Sequence, residues 1–186
     1  TLYDVYSNVC TNSTLGVTLS AVLASDGTTA GGGTLNGTLS VNAVAGVATF
    51  SGTNYTKAEN IKLKATATGT VSSLTNSIYM APAASVKLIF TTQPSATATA
   101  GVAFNPNQPI VAVVDVYNNV ITTDNQTQIT LSRGATGTDV LQGTTLTLPV
   151  TTGVATFSGL SYNKAETMNI LATDYAHGVL KTSATD

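Results

Sequence analysis

The heptapeptide Gly-Val-Ala-Thr-Phe-Ser-Gly at residues 46–52 recurs without change at residues 153–159. Two further pairs of matching segments flank it in the same order: residues 4–9 with 115–120, and residues 55–59 with 162–166. A preserved order of matches is the signature of an internal repeat. The chain is therefore predicted to hold two copies of one structural unit. The first copy is slightly longer between the matches, and the Gly31-Gly32-Gly33 loop is the simplest place for the extra residues.

The local pattern within each copy is that of β-strands. Residues 110–114 are apolar at every position, as in a central strand that is covered on both faces. Residues 127–132 alternate between polar and apolar side chains, which is typical of a strand with one buried face. Asn, Gly, Asp and Pro separate these short segments, and no apolar stripe with helical spacing extends beyond two turns. Short strands in this arrangement predict an all-β chain of two tandem β-sandwiches.

The two copies differ in completeness. The second opens with an apolar segment at residues 86–90 that has no counterpart in the first, so the first sandwich is expected to lack its N-terminal strand. Pro82 and its small neighbours suggest a short hinge, which places the domains at residues 1–83 and 84–186. Three explanations stay open: the chain is part of a longer tandem array, the strand lies in a preceding part that the structure does not include, or a neighbouring molecule donates it.

The composition excludes several classes of protein. Hydrophobic residues make up 42% of the chain, charged residues only 9%, and the net charge is −2. Such a chain offers no basic face to a nucleic-acid backbone. No apolar run approaches the length of about 18 residues that a membrane-spanning helix requires. We therefore expect neither a nucleic-acid partner nor a membrane span in this segment.

The repeated motifs resemble a known class of domain. An apolar strand followed by Asp-x-x-x-Asn, then Gly-Val-Ala-Thr-Phe, then Lys-Ala-Glu and a closing strand is similar to the bacterial immunoglobulin-like repeats of invasin and intimin. Residues 87–96 resemble the opening of such repeats in very large bacterial surface proteins, including S-layer proteins. The resemblance implies two immunoglobulin-like β-sandwiches in an extracellular protein of the cell surface or cell envelope. It also implies a structural or adhesive role without a catalytic site.

The matched residues also have structural interpretations. Asp115 closes an apolar strand, and its carboxylate is predicted to accept hydrogen bonds from backbone N–H groups of the following turn, as Asp4 would in the first copy. Gly46 and Gly153 are predicted to adopt positive φ in a turn before the next strand. Phe50 and Phe157 are predicted to point into the core.

We therefore expect a structural repeat region that builds an S-layer, sheath or filament by self-assembly. Its partners would be copies of itself or adjacent repeats of the same protein. One alternative is the spacer stalk of an adhesin, which presents a binding domain located elsewhere. A second alternative is a module that binds calcium or a glycan. The absence of Trp argues against a carbohydrate platform, and the recurrence of Tyr6 and Tyr117 at equivalent positions suggests a packing role for them instead.

An enzyme is not expected. The single cysteine, Cys10, aligns with the apolar Ile121 of the second copy and is interpreted as a small hydrophobic residue. The single histidine, His177, lies next to Gly178 in a predicted hairpin loop, where it would be solvated and could not build a catalytic triad alone. The acidic residues are spread thinly along the chain, and no spacing brings two of them together for acid–base catalysis. No catalytic residue and no organic cofactor is therefore predicted.

Calcium and glycans remain the candidate ligands and modifications. Calcium prefers six to eight oxygen ligands with several carboxylates, and no Asp-x-Asp run of that type is present. The weak calcium candidates are Asp4, Asp115, Asp124 and Asp139. Four sites fit the Asn-x-Ser/Thr pattern for N-glycosylation, although such matches arise readily in a chain this rich in Thr. These candidates are Asn12, Asn36, Asn54 and Asn125.

Overall fold

The structure, a computed structural model of the chain, describes residues 1–174 and 181–183. His177 lies outside the described residues. The described residues contain no helix and form several antiparallel sheets, so the all-β prediction is confirmed and the architecture is that expected of β-sandwich proteins. The chain divides into two compact units, Thr1–Ala81 (unit 1) and Pro82–Asp186 (unit 2), whereas the sequence placed the division after Ala83.

The strands are short, with two to eight residues each. Unit 1 has seven: β1 Gly16–Leu23, β2 Leu35–Asn36, β3 Ser40–Asn42, β4 Asn54–Tyr55, β5 Asn60–Ala67, β6 Ser73–Leu74 and β7 Ile78–Tyr79. Within its described residues, unit 2 has nine: β8 Lys87–Thr92, β9 Ile110–Val114, β10 Gln128–Arg133, β11 Leu141–Gln142, β12 Thr147–Pro149, β13 Val154–Thr156, β14 Ser161–Tyr162, β15 Ile170–Asp174 and β16 Lys181–Ser183.

Unit 2 contains three antiparallel sheets around one core. Their strand orders are β12-β10-β15-β16, β13-β9-β8 and β11-β14. The central strand β9 is buried along almost its whole length, as its uninterrupted apolar sequence predicts. The core also takes Leu88 from β8 and Phe157, both 1% exposed, and β8 lies against β15 and β16. Burial of these side chains is the main favourable term for the unit.

Unit 1 repeats two of these three sheets, the four-stranded one and the two-stranded one. Its strand order is β3-β1-β5-β6, with β7 also paired to β5, and β2 pairs with β4. Val17 pairs with Ala67 as Ile129 pairs with Asp174, so the central strand pairs of the two units match in register. No strand equivalent to β8 is present in unit 1 among the residues that the structure describes.

The repeated heptapeptide has the same backbone turn in both units, but its phenylalanine side chain is buried to different extents. Gly46 and Gly153 have φ of 78° and 79°, which confirms the positive φ expected at the entry to this segment. Phe157 lies in the core as predicted. Phe50 is only half-buried and lines a surface groove, so the prediction of a core position is wrong for the first copy. The reason is physical: within unit 1 no strand covers the face that β8 covers in unit 2.

Candidate functional site

Asp115 organises the turn that follows β9. Its carboxylate is fully buried and accepts four hydrogen bonds. Oδ1 accepts from the backbone N–H of Tyr117 at 2.8 Å and of Asn119 at 2.9 Å. Oδ2 accepts from Asn119 Nδ2 and from the backbone N–H of Ala83, both at 2.9 Å. The predicted role of this residue, a carboxylate that accepts backbone N–H groups of the following turn, is confirmed.

Two opposing effects act on the pKa of Asp115. Burial raises it, because removing a carboxylate from water disfavours the charged form. The hydrogen bonds from the Asn119 side chain and from the backbone of Ala83, Asn119 and Tyr117 act in the opposite direction and outweigh burial. The net pKa lies below its ordinary value. The carboxylate is therefore charged at neutral pH and is a strong acceptor for the donors around it.

Asp4 forms the same turn in unit 1 but stands in solvent. Its Oδ1 accepts from the backbone N–H of Tyr6 and of Asn8, both at 2.9 Å, and its Oδ2 accepts from Asn8 Nδ2 at 3.1 Å. The hydrogen bond from the Asn8 side chain is the main cause that lowers the pKa of this carboxyl group. Ser7 has φ of 67°, the value also found for its counterpart Asn118. Asp4 thus differs from Asp115 in two respects: it is exposed, and among the described residues it has no donor equivalent to the Ala83 N–H.

Each of these turns presents an apolar and an aromatic side chain to solvent. Tyr6 is 82% exposed and Tyr117 54% exposed, and each follows an exposed valine, Val5 or Val116. The packing role predicted for these tyrosines is therefore wrong. The turn folds back onto its own aspartate, so its middle residues point away from the core. The carboxylate fixes the backbone beneath them, which makes each tip an ordered, exposed Val-Tyr pair.

A second repeated device was not recognised from the sequence. In unit 2 the buried hydroxyl of Tyr162 donates to Glu166 Oε1 at 2.7 Å and accepts from the backbone N–H of Asp139 at 2.6 Å. Glu166 also accepts from the backbone N–H of Thr138 at 2.6 Å, and Lys164 Nζ lies 3.2 Å from Glu166 Oε2. The hydrogen bond from Tyr162 is the main cause that lowers the pKa of Glu166, to about 2. This clamp ties the loop before β11 to the segment after β14.

Unit 1 repeats the clamp with a different loop. Tyr55 donates to Glu59, the backbone N–H of Gly33 donates to the Tyr55 hydroxyl at 2.7 Å, and that of Gly32 donates to Glu59 at 2.7 Å. Lys57 Nζ lies 3.4 Å from Glu59 Oε2. The Tyr55 hydrogen bond is the main cause that lowers the pKa of Glu59, while burial and then Glu59 raise the pKa of Tyr55. The repeated Tyr-x-Lys-Ala-Glu spacing was the available signal, but the loops that it holds are distant in sequence.

The four calcium candidates are occupied by N–H donors. The Asp124 carboxylate accepts from the backbone N–H of Gln126 at 2.9 Å and of Thr127 at 3.0 Å. Asp139 accepts from the backbone N–H of the next residue at 2.9 Å, and Asp4 and Asp115 hold their turns. Within residues 1–174 and 181–183, no group of three or more His, Cys, Asp or Glu residues could hold a metal ion.

All four glycosylation candidates are exposed asparagines. Asn36 and Asn54 face each other across β2 and β4, and the Asn36 side-chain amide donates to Asn54 Oδ1 at 3.1 Å. The Asn125 side chain accepts from the backbone N–H of Thr152 at 2.8 Å and so closes a turn. An N-linked glycan is attached to Nδ2, which is the donor atom in the Asn36 contact but takes no part in the Asn125 contact to Thr152; Asn12 lies in an exposed loop.

Unit 1 also carries an open groove of about 270 Å³. Its apolar lining includes Leu2, Val17, Phe50, Ala65 and Ala67. The groove lies against β5 and β6, which correspond to β15 and β16 of unit 2. In unit 2 this face is the one against which β8 packs.

Comparison with protein-family models, with curated proteins and with solved structures gives no match. No helix that could span a bilayer occurs in the part of the chain that the structure describes.

Proposed function

We propose that this chain is a structural repeat region of a large extracellular cell-surface protein, which builds a layer, sheath or filament by self-assembly. The two units would be immunoglobulin-like sandwiches similar to the bacterial repeats of invasin and intimin. Their partners would be copies of the chain or adjacent repeats of the same protein. The observation that carries the proposal is that both units use the same two local devices, the Asp-x-x-x-Asn turn and the Tyr-x-Lys-Ala-Glu clamp.

Both devices stabilise loops rather than assemble a reactive centre. The Asp115 and Asp4 carboxylates are occupied by turn donors, and Glu166 and Glu59 are occupied by loop donors. A unit whose turns and loops are fixed by charge-assisted hydrogen bonds keeps its shape in a repeated arrangement. This use of the acidic residues favours a load-bearing or spacing role over a calcium-binding one.

The exposed Val-Tyr tips are the surfaces proposed for association. Each tip is held in place by its aspartate, and each exposes aromatic and aliphatic area that water does not favour. Aromatic residues are enriched at protein–protein interfaces. A low net charge of −2 keeps the repulsion between copies weak. The spacer stalk of an adhesin remains the alternative, because a stalk needs the same stiff units without the contacts between copies.

The test is assembly of the purified chain, followed by light scattering and negative-stain electron microscopy with and without Ca²⁺. Ordered sheets, tubes or filaments would support the proposal, and a double Tyr6→Ser, Tyr117→Ser variant should then assemble poorly. Tyr79→Ser is the matched control, because Tyr79 is 64% exposed but lies on β7 rather than on a tip. A chain that stays monomeric under all conditions would favour the stalk, and assembly only with Ca²⁺ would favour an ion-dependent module.

A further inference from the structure

Strand β3 is the outer strand of the sheet that contains β1 and β5, and its outer edge is unpaired among the described residues. Its counterpart in unit 2, β12, is also the outer strand of its sheet, although unit 2 contains β8. β8 belongs to a different sheet, in which it pairs with β9. The edge position of β3 is therefore a property of the repeated fold and does not depend on a strand like β8.

The direction of the backbone groups of β3 follows from its register with β1. The Leu39 carbonyl accepts a hydrogen bond from a β1 N–H at 2.8 Å, and the Ala43 N–H donates to the carbonyl of Leu15, just before β1, at 2.9 Å. In an antiparallel ladder every second residue turns its N–H and C=O towards the partner strand. Ser40 and Asn42 alternate with these residues, so their N–H and C=O groups point away from β1.

The two copies of this outer strand differ at one position that decides how they can pair. Asn42 is opposite Gly16 of β1, and Pro149 is opposite Gln128 of β10, so Asn42 and Pro149 are counterparts. Proline has no N–H, and natural proteins use it on outer strands to prevent pairing with another chain. The β12 edge is protected in this way. The β3 edge has neither a proline nor a charged residue, because residues 39–43 read Leu-Ser-Val-Asn-Ala.

The β3 edge is complementary to itself. When two β3 strands lie antiparallel about a two-fold axis at Val41, Ser40 of one copy is opposite Asn42 of the other. Each such pair exchanges both of its N–H···O=C hydrogen bonds, so the contact contains four main-chain hydrogen bonds. Two β12 strands in the same arrangement would form only two, and a mixed β3–β12 pair three, because Pro149 has no N–H to donate.

We propose that two copies of this chain join by pairing their β3 edges antiparallel about Val41, which makes one continuous sheet from two units. The partner is a second copy, because the self-paired edge forms more main-chain hydrogen bonds than either pairing that involves β12. A two-fold contact of this kind is closed and gives a dimer. The inference rests on the proposed function only for the nature of the partner, and growth beyond the dimer needs another contact, such as the Val-Tyr tips.

The first experiment measures self-association of the full chain by sedimentation velocity over a range of concentrations. The unaltered chain should form a concentration-dependent dimer. Asn42→Pro gives β3 the residue that β12 carries in the same register, and it should raise the Kd of the dimer about tenfold or more, because two of the four hydrogen bonds are lost. Asn42→Ala removes the side chain but keeps the N–H, so its dimer should be unchanged. Equal Kd values for the two variants, or an unaltered chain that stays monomeric, would overturn the proposal.

The reciprocal variant keeps the test independent of any folding defect in Asn42→Pro. Pro149→Asn restores a backbone N–H on the outer side of β12 and so opens a second edge on the same chain. A chain with two open edges can pair at both, so this variant should form species larger than the dimer. Sedimentation identical to that of the unaltered chain would show that strand edges do not drive the association, and the proposal would fail.

A second experiment locates the contact. In a Cys10→Ser background, Val41→Cys places each new cysteine opposite its symmetry mate, at a Cα separation of about 4.5 Å, which a disulfide can span. Under mild oxidation this variant should give a disulfide-linked dimer on a non-reducing gel. Leu148→Cys, at the counterpart position on β12, is the matched control and should remain monomeric on the gel. Equal cross-linking of both variants, or cross-linking of Leu148→Cys alone, would overturn the proposal.

Dimer formation and larger assembly are measured separately, so the two proposals can fail independently. A chain that dimerises through β3 but never forms sheets, tubes or filaments would refute the proposed function and leave this inference standing. Ordered assembly with an unchanged dimer in Asn42→Pro would support the proposed function and refute this inference.

Discussion

Replacing Asp115 by Ala should destabilise unit 2 far more than replacing Asp4 by Ala destabilises unit 1. The two aspartates occupy the same turn of the same repeat and differ mainly in burial and in the Ala83 contact. They therefore form a matched pair within one chain. Any general effect of losing a negative charge is common to both variants.

The magnitude follows from the contacts. Asp115 accepts four hydrogen bonds at 2.8–2.9 Å, and a hydrogen bond to a charged group is worth about 1.5–3 kcal/mol. The sum overstates the loss, because the turn N–H groups of Tyr117 and Ala83 lie near the surface and can find water in the variant. We expect a loss of about 3 kcal/mol in the free energy of unfolding of unit 2. Asp115→Asn should lose about 2 kcal/mol, because its amide faces N–H donors on one side.

The assay is urea unfolding followed by far-UV circular dichroism, with pulsed hydrogen exchange and mass spectrometry to assign each transition to a unit. In Asp115→Ala the amides of β8 and β9 should lose protection at lower urea, and those of β1 and β5 should not change. Asp4→Ala should leave unit 2 unaffected and shift the transition of unit 1 only slightly. The reasoning is refuted if the two variants shift their own units equally, or if Asp115→Ala costs less than about 1 kcal/mol.

Three further outcomes are expected. Gly153→Ala should lower the free energy of unfolding of unit 2 by about 3 kcal/mol, because a Cβ there would lie 2.5 Å from a backbone oxygen. Gly159→Ala should lower it by only about 1 kcal/mol, because Gly159 has φ of 68° but no atom within 4 Å of the added Cβ. Thermal denaturation of the two variants would measure the difference. The pKa of Glu166 is about 2, below its ordinary value of 4.5, so the contribution of Glu166 to stability is complete above pH 4.5 and is lost as the pH falls from 4.5 towards 2. Acid unfolding of Glu166→Gln should lack this pH dependence. An acid-unfolding profile identical to that of the unaltered chain would contradict the role of Glu166 in the clamp. Phe157→Ala should cost about 4 kcal/mol and Phe50→Ala about 1–2 kcal/mol in urea unfolding, and equal costs would show that the groove of unit 1 is closed in solution.

The sequence predicted the features that depend on neighbouring residues. The hydrogen bonds of the Asp115 turn to Tyr117 and Asn119 span only two and four positions, so the motif itself contains donors and acceptor. The positive φ of Gly153 is also a local property of the turn. Alternation and apolar runs gave the strand character of β9 and β10 for the same reason, since side-chain direction in a strand follows a period of two.

The features that were missed depend on residues distant in sequence. The Ala83 N–H lies 32 positions from the Asp115 carboxylate that it completes. The Thr138 N–H lies 28 positions from Glu166, and nothing in the motif around Glu166 identifies that loop. The exposure of Tyr6 and Tyr117 was mispredicted because recurrence at equivalent positions was taken for packing. Recurrence shows that a position has the same environment in both units, and that environment can be solvent as well as core.

The repeated heptapeptide is buried to different extents in the two units. Residues 46–52 and 153–159 are identical, so the half-exposed state of Phe50 and the 1% exposure of Phe157 cannot arise from local preference. The difference arises from β8, which is seated in unit 2 and has no equivalent among the described residues of unit 1. Burial of the repeated segment is therefore set by the strand that packs over it and not by the sequence of the segment itself, because side-chain packing decides how a strand position is used.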